Sequence, residues 1–151
     1  MFTIVYTKQC AELAKSLAVE LGECDLWEVD QALRASEELG NFEKLGLVFH
    51  NEGKSLPVSM QDFIRGVLGN CDLKEMEYMF SICKCSGPVG HALKIVEKLC
   101  AKVGCAPSFS LVLQGNEDLK MVAQRIESGE ILLAKGSLGT SLYMLMHGIR
   151  G

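Results

Sequence analysis

The sequence predicts an α/β three-layer sandwich built on a five-stranded parallel sheet. Three observations carry this. Five short apolar runs alternate with amphipathic helical segments, and such alternation implies a parallel sheet covered on both faces. No internal repeat or low-complexity segment interrupts the pattern over 151 residues, a length that fits a single domain, 1–151. The stretch 77–103 shows the repeating unit most plainly: an apolar run, a Ser/Gly/Pro loop and a strongly periodic helix.

Taken in order, Phe2-Thr3-Ile4-Val5-Tyr6 is apolar and β-branched and reads as the first strand. The loop Thr7-Lys8-Gln9 leads to a helix over 10–21, with Leu13, Ala14, Leu17, Ala18 and Leu21 as its stripe and Gly22 placed to stop it. Residues 25–29 alternate and form an outer strand. Residues 30–44 are polar and irregular, with a turn or two of helix at 35–39. Leu45-Gly46-Leu47-Val48-Phe49 is a buried strand that runs into the loop 50–55. A helix then starts near Leu56-Pro57, with Pro57 in its first turn, where the missing N–H costs nothing. Met60, Phe63, Ile64, Val67 and Leu68 form its stripe, and Gly69-Asn70 ends it. The run 78–83 is too short for a helix of its own and reads as a central strand. In the helix after it, Ala92, Ile95, Val96, Leu99 and Val103 share one face, while Lys94, Lys98 and Lys102 point to water. The last strand is 109–113. Asn116 caps a closing helix that turns Leu119, Val122, Ala123 and Ile126 inward. Residues 129–151 form a C-terminal tail, Gly-rich and apolar by turns, with a short helix expected at 143–146.

Composition narrows the function classes. A hydrophobic content of 48% excludes a disordered acidic tail or a basic nucleic-acid arm. A net charge of −4 argues against a nucleic-acid partner, although it leaves room for a nucleotide held by backbone amides. No basic segment precedes an apolar stretch at the N-terminus, and no run reaches the roughly 20 apolar residues of a membrane span, so a cytoplasmic protein without a membrane partner is expected. The seven cysteines are scattered and contain no Cys-x-x-Cys pair, which reads as free core thiols in a reducing compartment rather than a metal site. Cys83 and Cys85 are close enough to face one way. Cys10 lies at a helix N-terminus beside Lys8, a setting that lowers a thiol pKa; it reads either as a reactive thiolate or as a residue filling the capping position. No dinucleotide fingerprint, Walker lysine loop or nucleophile elbow is present, which leaves hydrolase and kinase chemistry without residues.

Ligands of parallel α/β sheets bind beyond the carboxyl ends of the strands, where strand order reverses. That nominates the loops 7–10, 50–56 and 84–90 together, with Gly87 and Gly90 expected in a tight strand-to-helix turn.

Two motifs in these loops carry a family resemblance. Gly53-Lys54-Ser55-Leu56-Pro57 leads into Phe63-Ile64, and Cys85-Ser86-Gly87-Pro88-Val89-Gly90-His91 leads into Ala92-Leu93. Three loops so placed resemble the flavodoxins, and more closely the flavodoxin-like domain found fused to ferredoxin in many anaerobic bacteria. The likeness spans 2–128 by order of elements and is sharp over 45–65 and 78–103. It implies strand order 2-1-3-4-5, flavin mononucleotide (FMN) as cofactor, electron transfer, and a redox partner such as ferredoxin. On this resemblance Thr7, Lys8, Gln9, Cys10 and Ala11 would meet the phosphate, and His50, Asn51, Gly53, Lys84, Cys85, Ser86 and Gly87 would surround the ring. The family's phosphate loop reads Ser/Thr-Gly-Thr-Gly-Asn-Thr, where this chain has Tyr6-Thr7-Lys8-Gln9-Cys10-Ala11, and neither ring loop holds Trp, Tyr or Phe. Those departures support the alternative of a flavodoxin-like domain without flavin that acts as a binding or structural module, with 138–149 as its contact surface. A narrower alternative is a thiol-redox protein using Cys10.

Overall fold

The computed structural model describes residues 1–132 apart from Ser86, Pro88, Val89 and Asn116. Strands β1 (Phe2–Tyr6), β2 (Cys24–Glu28), β3 (Lys44–His50), β4 (Tyr78–Lys84) and β5 (Phe109–Leu113) are all parallel, in the order β2-β1-β3-β4-β5. The interior strands explain their own composition. Every residue of β5, and all but the end residues of β3 and β4, is buried, as expected when helices cover both faces of a sheet. The edge strand β2 has no buried residue and carries the polar alternation.

The helices are α1 (Ala11–Leu21), entered through a 3-10 turn at Lys8–Cys10, α2 (Val29–Arg34), α3 (Ser36–Leu39), α4 (Val58–Asp62), α5 (Ala92–Val103) and α6 (Leu119–Glu127). Helix α4 continues through a π turn, Phe63–Val67, and a 3-10 turn, Leu68–Asn70. Right-handed crossovers fix their sides. The step β1 to β2 runs one way along the sheet and the later steps run the other, so α1 lies on one face and α2, α4 and α5 on the opposite one. The packing agrees: α1 meets α6, while α4 and its π turn meet α2 and α5. The expected stripe Met60, Phe63, Ile64, Val67 and Leu68 is buried throughout, and the three lysines of α5 are exposed.

Several boundaries differ from the sequence reading. The outer strand ends at Glu28 rather than at Val29, because the Glu28 carboxylate accepts from the Asp30 and Gln31 amides and caps α2. The stretch 30–44 holds most of α2 in addition to the short helix expected at 35–39, which is α3. Pro57 is the cap residue of α4 and not part of its first turn. The closing helix is capped by Asp118, whose carboxylate accepts from the Lys120 amide; Asn116 and the helix expected at 143–146 lie outside the described residues. After α6 the chain returns to the sheet. Leu132 pairs in parallel with the edge of β5, donating to Ser108 O and accepting from the Ser110 amide, both at 2.8 Å.

Two polar contacts in this core give testable results. The Ser81 and Ser110 hydroxyls, both buried on adjacent strands, share a hydrogen bond of 2.9 Å. Ser81→Ala leaves Ser110 without its partner and is expected to cost about 2 kcal/mol, whereas the Ser81→Ala/Ser110→Ala double variant recovers most of it, read by denaturant unfolding. The Tyr78 hydroxyl donates to Glu130 O at 2.7 Å, and burial, with Glu130 adding, pushes its pKa from the ordinary 10.0 up to about 12. A raised folded-state pKa means the unfolded chain releases its proton first. The stabilisation is therefore full below pH 10 and declines as pH rises towards about 12. Unfolding free energy measured between pH 9 and 12 is expected to fall more steeply in the native protein than in Tyr78→Phe.

Candidate functional site

The sheet's strand order reverses between β1 and β3, and three loops meet at the carboxyl ends of β1, β3 and β4. Each is tied to a neighbour by a named contact. Thr7 leaves β1 buried; its amide donates to Val48 O at 3.0 Å, and its hydroxyl shares a 3.0 Å hydrogen bond with His50 Nδ1. Asn51 Nδ2 donates to Cys85 Sγ at 2.8 Å, which joins the loop after β3 to the loop after β4. The His91 amide donates to Lys54 O at 2.7 Å and fixes the start of α5 against the β3 loop.

The first loop is a single tight turn. The Cys10 amide donates to Thr7 O at 2.8 Å, and Ala11 opens α1 half-buried. Lys8 and Gln9 are exposed, and as the first residues of the turn their amides have no partner within it; no side chain caps them. Cys10 is not the exposed thiolate one reading of the sequence allowed. Its side chain is buried, and burial pushes the thiol pKa up, against opposing effects of a Thr7 hydrogen bond and Lys84. A thiol held protonated in this way is a poor nucleophile.

The second loop is a tight hairpin. Glu52 and Ser55 exchange both backbone hydrogen bonds, at 2.8 and 3.0 Å, with Gly53 near the apex at φ +64°. His50 Nε2 lies 3.9 Å from a Glu52 carboxylate oxygen. In the third loop the Cys85 amide donates to Leu113 O at 2.9 Å. Gly87 has open space where a Cβ would stand among the described residues. At Gly90 an added Cβ would meet the Lys54 backbone at 2.8–3.0 Å. Ser86 lies outside the described residues.

The rim carries both signs of charge, with Glu52 exposed in the second loop. Lys8, Lys54 and Lys84 are exposed, one from each loop, and none forms an ion pair among the described residues. A cleft of about 210 Å³ opens beside Lys84 alone, between the start of α1 and the end of β5, lined by Glu12, Leu13, Ser16, Lys84, Leu113 and Glu117 among others. The Glu117 carboxylate shapes this cleft by accepting from the Gln114 and Gly115 amides. Neither the Thr7–His50 bond nor the Asn51–Cys85 bond was visible in the sequence, since their partners stand 43 and 34 residues apart. The Glu117 contact is local, and its Gly-x-Glu spacing could have been read as a turn.

Fold and rim together define a class: the chain has the flavodoxin-like α/β fold. No family model and no curated protein matches the sequence, so the likeness rests on solved structures. A two-electron reduced flavodoxin of Megasphaera elsdenii superposes with a TM-score of 0.63 at 10% identity, covering 82% of this chain and 99% of that one. A flavodoxin from the domain Archaea gives 0.63 at 12% identity, covering 83% and 93%. A flavodoxin of Fusobacterium nucleatum bound to flavin mononucleotide gives 0.53 at 12% identity, covering 84% and 92%. No helix of the described residues is long and apolar enough to cross a membrane.

Proposed function

We propose that this chain is a flavodoxin-like electron-transfer protein that holds FMN across its three loops. The observation that carries the reading is the convergence of those loops at the switch point, each stitched to the next by a hydrogen bond. The donor set fits the phosphate end of the cofactor. The Lys8 and Gln9 amides lack partners at the start of a helical turn that runs into α1, and Lys8 adds a positive charge. Cys10 and Ala11 shape that turn from behind. His50, Asn51 and Gly53 on one side, and Lys84, Cys85, Ser86 and Gly87 on the other, are the residues that would border the ring. FMN, when bound, supplies one- or two-electron transfer, and the protein's part is placement and charge. The electrons would pass to or from a separate redox protein such as ferredoxin, in the cytoplasm.

Fluorescence titration tests this. Flavin emission is expected to be quenched on adding the protein, and no quenching at high micromolar flavin rejects the reading. Lys8→Glu should weaken FMN about tenfold and leave riboflavin, which has no phosphate, unchanged. A second reading, a flavodoxin-like module without flavin, is favoured by one observation: the Thr7 hydroxyl is already engaged by His50 in a turn lacking both family glycines. It predicts a colourless purified protein that leaves flavin emission unchanged.

A further inference from the structure

The sulfur of Cys85 is surrounded by donors to a degree that core packing does not need. Asn51 Nδ2 reaches it at 2.8 Å, and the Cys83 thiol lies 3.7 Å away. Cys83 in turn lies 3.5 Å from Asn51 Oδ1, so one carboxamide addresses both sulfurs; the single Cys83 proton points to Asn51 Oδ1 or to Cys85, and Cys85 receives the Asn51 N–H in either case. This arrangement gives the pair a direction: Cys83 keeps its proton and Cys85 is the acceptor. Hydrogen bonds donated to sulfur favour the thiolate. The Cys83 hydrogen bond, helped by Gly90 and opposed by burial, lowers the Cys85 pKa, while the same pairing and burial raise that of Cys83. The residues alternate on a strand end, which is why i and i+2 face the same way.

We propose that Cys85 is a hydroperoxide-reactive thiolate and Cys83 its resolving thiol, so that the end of β4 carries a reversible dithiol–disulfide couple. In the first step the Cys85 sulfur attacks a peroxide oxygen; the S–O bond forms, the O–O bond breaks, and the departing hydroxide takes up a proton to become water. In the second, the Cys83 sulfur gives its proton to solvent and attacks Cys85; the S–S bond forms and the S–O bond breaks, releasing a second water. Two thiols lose two electrons and the peroxide gains them. Only 1–2% of either residue is exposed, which favours a small peroxide over a bulky disulfide such as glutathione disulfide. Closing the sulfurs from 3.7 Å to bonding distance draws Cys85 away from Asn51 and loosens the tie between the β3 and β4 loops. This inference does not depend on whether flavin binds.

The experiment is peptide mapping of the reduced full-length protein after one equivalent of hydrogen peroxide at pH 7, with alkylation under denaturing conditions. The peptide holding Cys83 and Cys85 is expected to lose two hydrogens and escape alkylation, reversibly with dithiothreitol, while Cys10 and Cys100, buried thiols of raised pKa, remain fully alkylated. Cys83→Ser should accumulate a dimedone-trapped sulfenic acid at Cys85, and Cys85→Ser should give none at Cys83. Asn51→Ala should slow oxidation about tenfold, the effect of a one-unit rise in thiol pKa. Full alkylation of Cys83 and Cys85 after peroxide, or oxidation spread evenly over the cysteines, overturns the proposal, and so does oxidation by glutathione disulfide as fast as by peroxide.

Discussion

Gly46→Ala is expected to lower the unfolding free energy by about 3 kcal/mol, the upper part of the usual range for overpacking a core. Gly46 sits in the middle of β3, in register with Phe80 on β4, and the Phe80 ring lies directly over it. An added Cβ would stand 2.1 Å from Phe80 Cζ and 2.5–2.6 Å from its Cε atoms. The ring cannot easily swing away, because Phe80 is completely buried and packs edge-on to Phe2 at 5.8 Å. Glycine in a strand interior marks such a close approach. The steric origin is testable by coupling. Phe80→Leu alone leaves a cavity, but in combination with Gly46→Ala the two volume changes offset, so the double variant should be clearly more stable than the sum of the singles predicts. Denaturant unfolding of the four proteins measures this; a Gly46→Ala protein within about 0.5 kcal/mol of native contradicts the packing described here.

Gly90→Ala is expected to cost about 2 kcal/mol and to weaken FMN binding about tenfold, because its clash is with backbone that belongs to another loop of the rim. The new Cβ would meet Lys54 Cα at 2.8 Å and Lys54 O at 2.9 Å, the same oxygen that accepts from the His91 amide. The hairpin at Glu52–Ser55 must then move away from the start of α5, which separates two of the three converging loops. Gly87→Ala is the control: it has room for a Cβ among the described residues and should change stability by less than about 0.5 kcal/mol. Equal behaviour of the two alanine variants, in unfolding and in flavin titration, contradicts the assignment of Gly90 as the contact that holds the rim together.

The contrast between these glycines shows what a sequence can and cannot carry. Apolar periodicity reports burial, so the stripe from Met60 to Leu68, the strands β3 to β5 and the strand order implied by the resemblance were all legible. Gly87 and Gly90 looked alike in the same loop, because what separates them is Lys54, which is distant in sequence. Boundaries were lost to side-chain caps: Glu28 and Asp118 bond to amides two or three residues on and move a helix start away from where hydrophobic pattern placed it. Cys10 had the local setting of a reactive thiol, yet its burial depends on how the first turn packs on the sheet. The rim itself was predicted as three loops. Its stitching, Thr7 to His50 and Asn51 to Cys85, is tertiary, and no local pattern announces it.

The most direct measurement is the amide nitrogen–proton spectrum of the labelled protein during titration with FMN. Shifts concentrated at Lys8, Gln9, Asn51, Gly53, Lys84 and Gly87, and saturating together, are the predicted result. A spectrum that stays unchanged at high micromolar FMN, or one that shifts at the opposite ends of the strands, contradicts a cofactor held by these three loops.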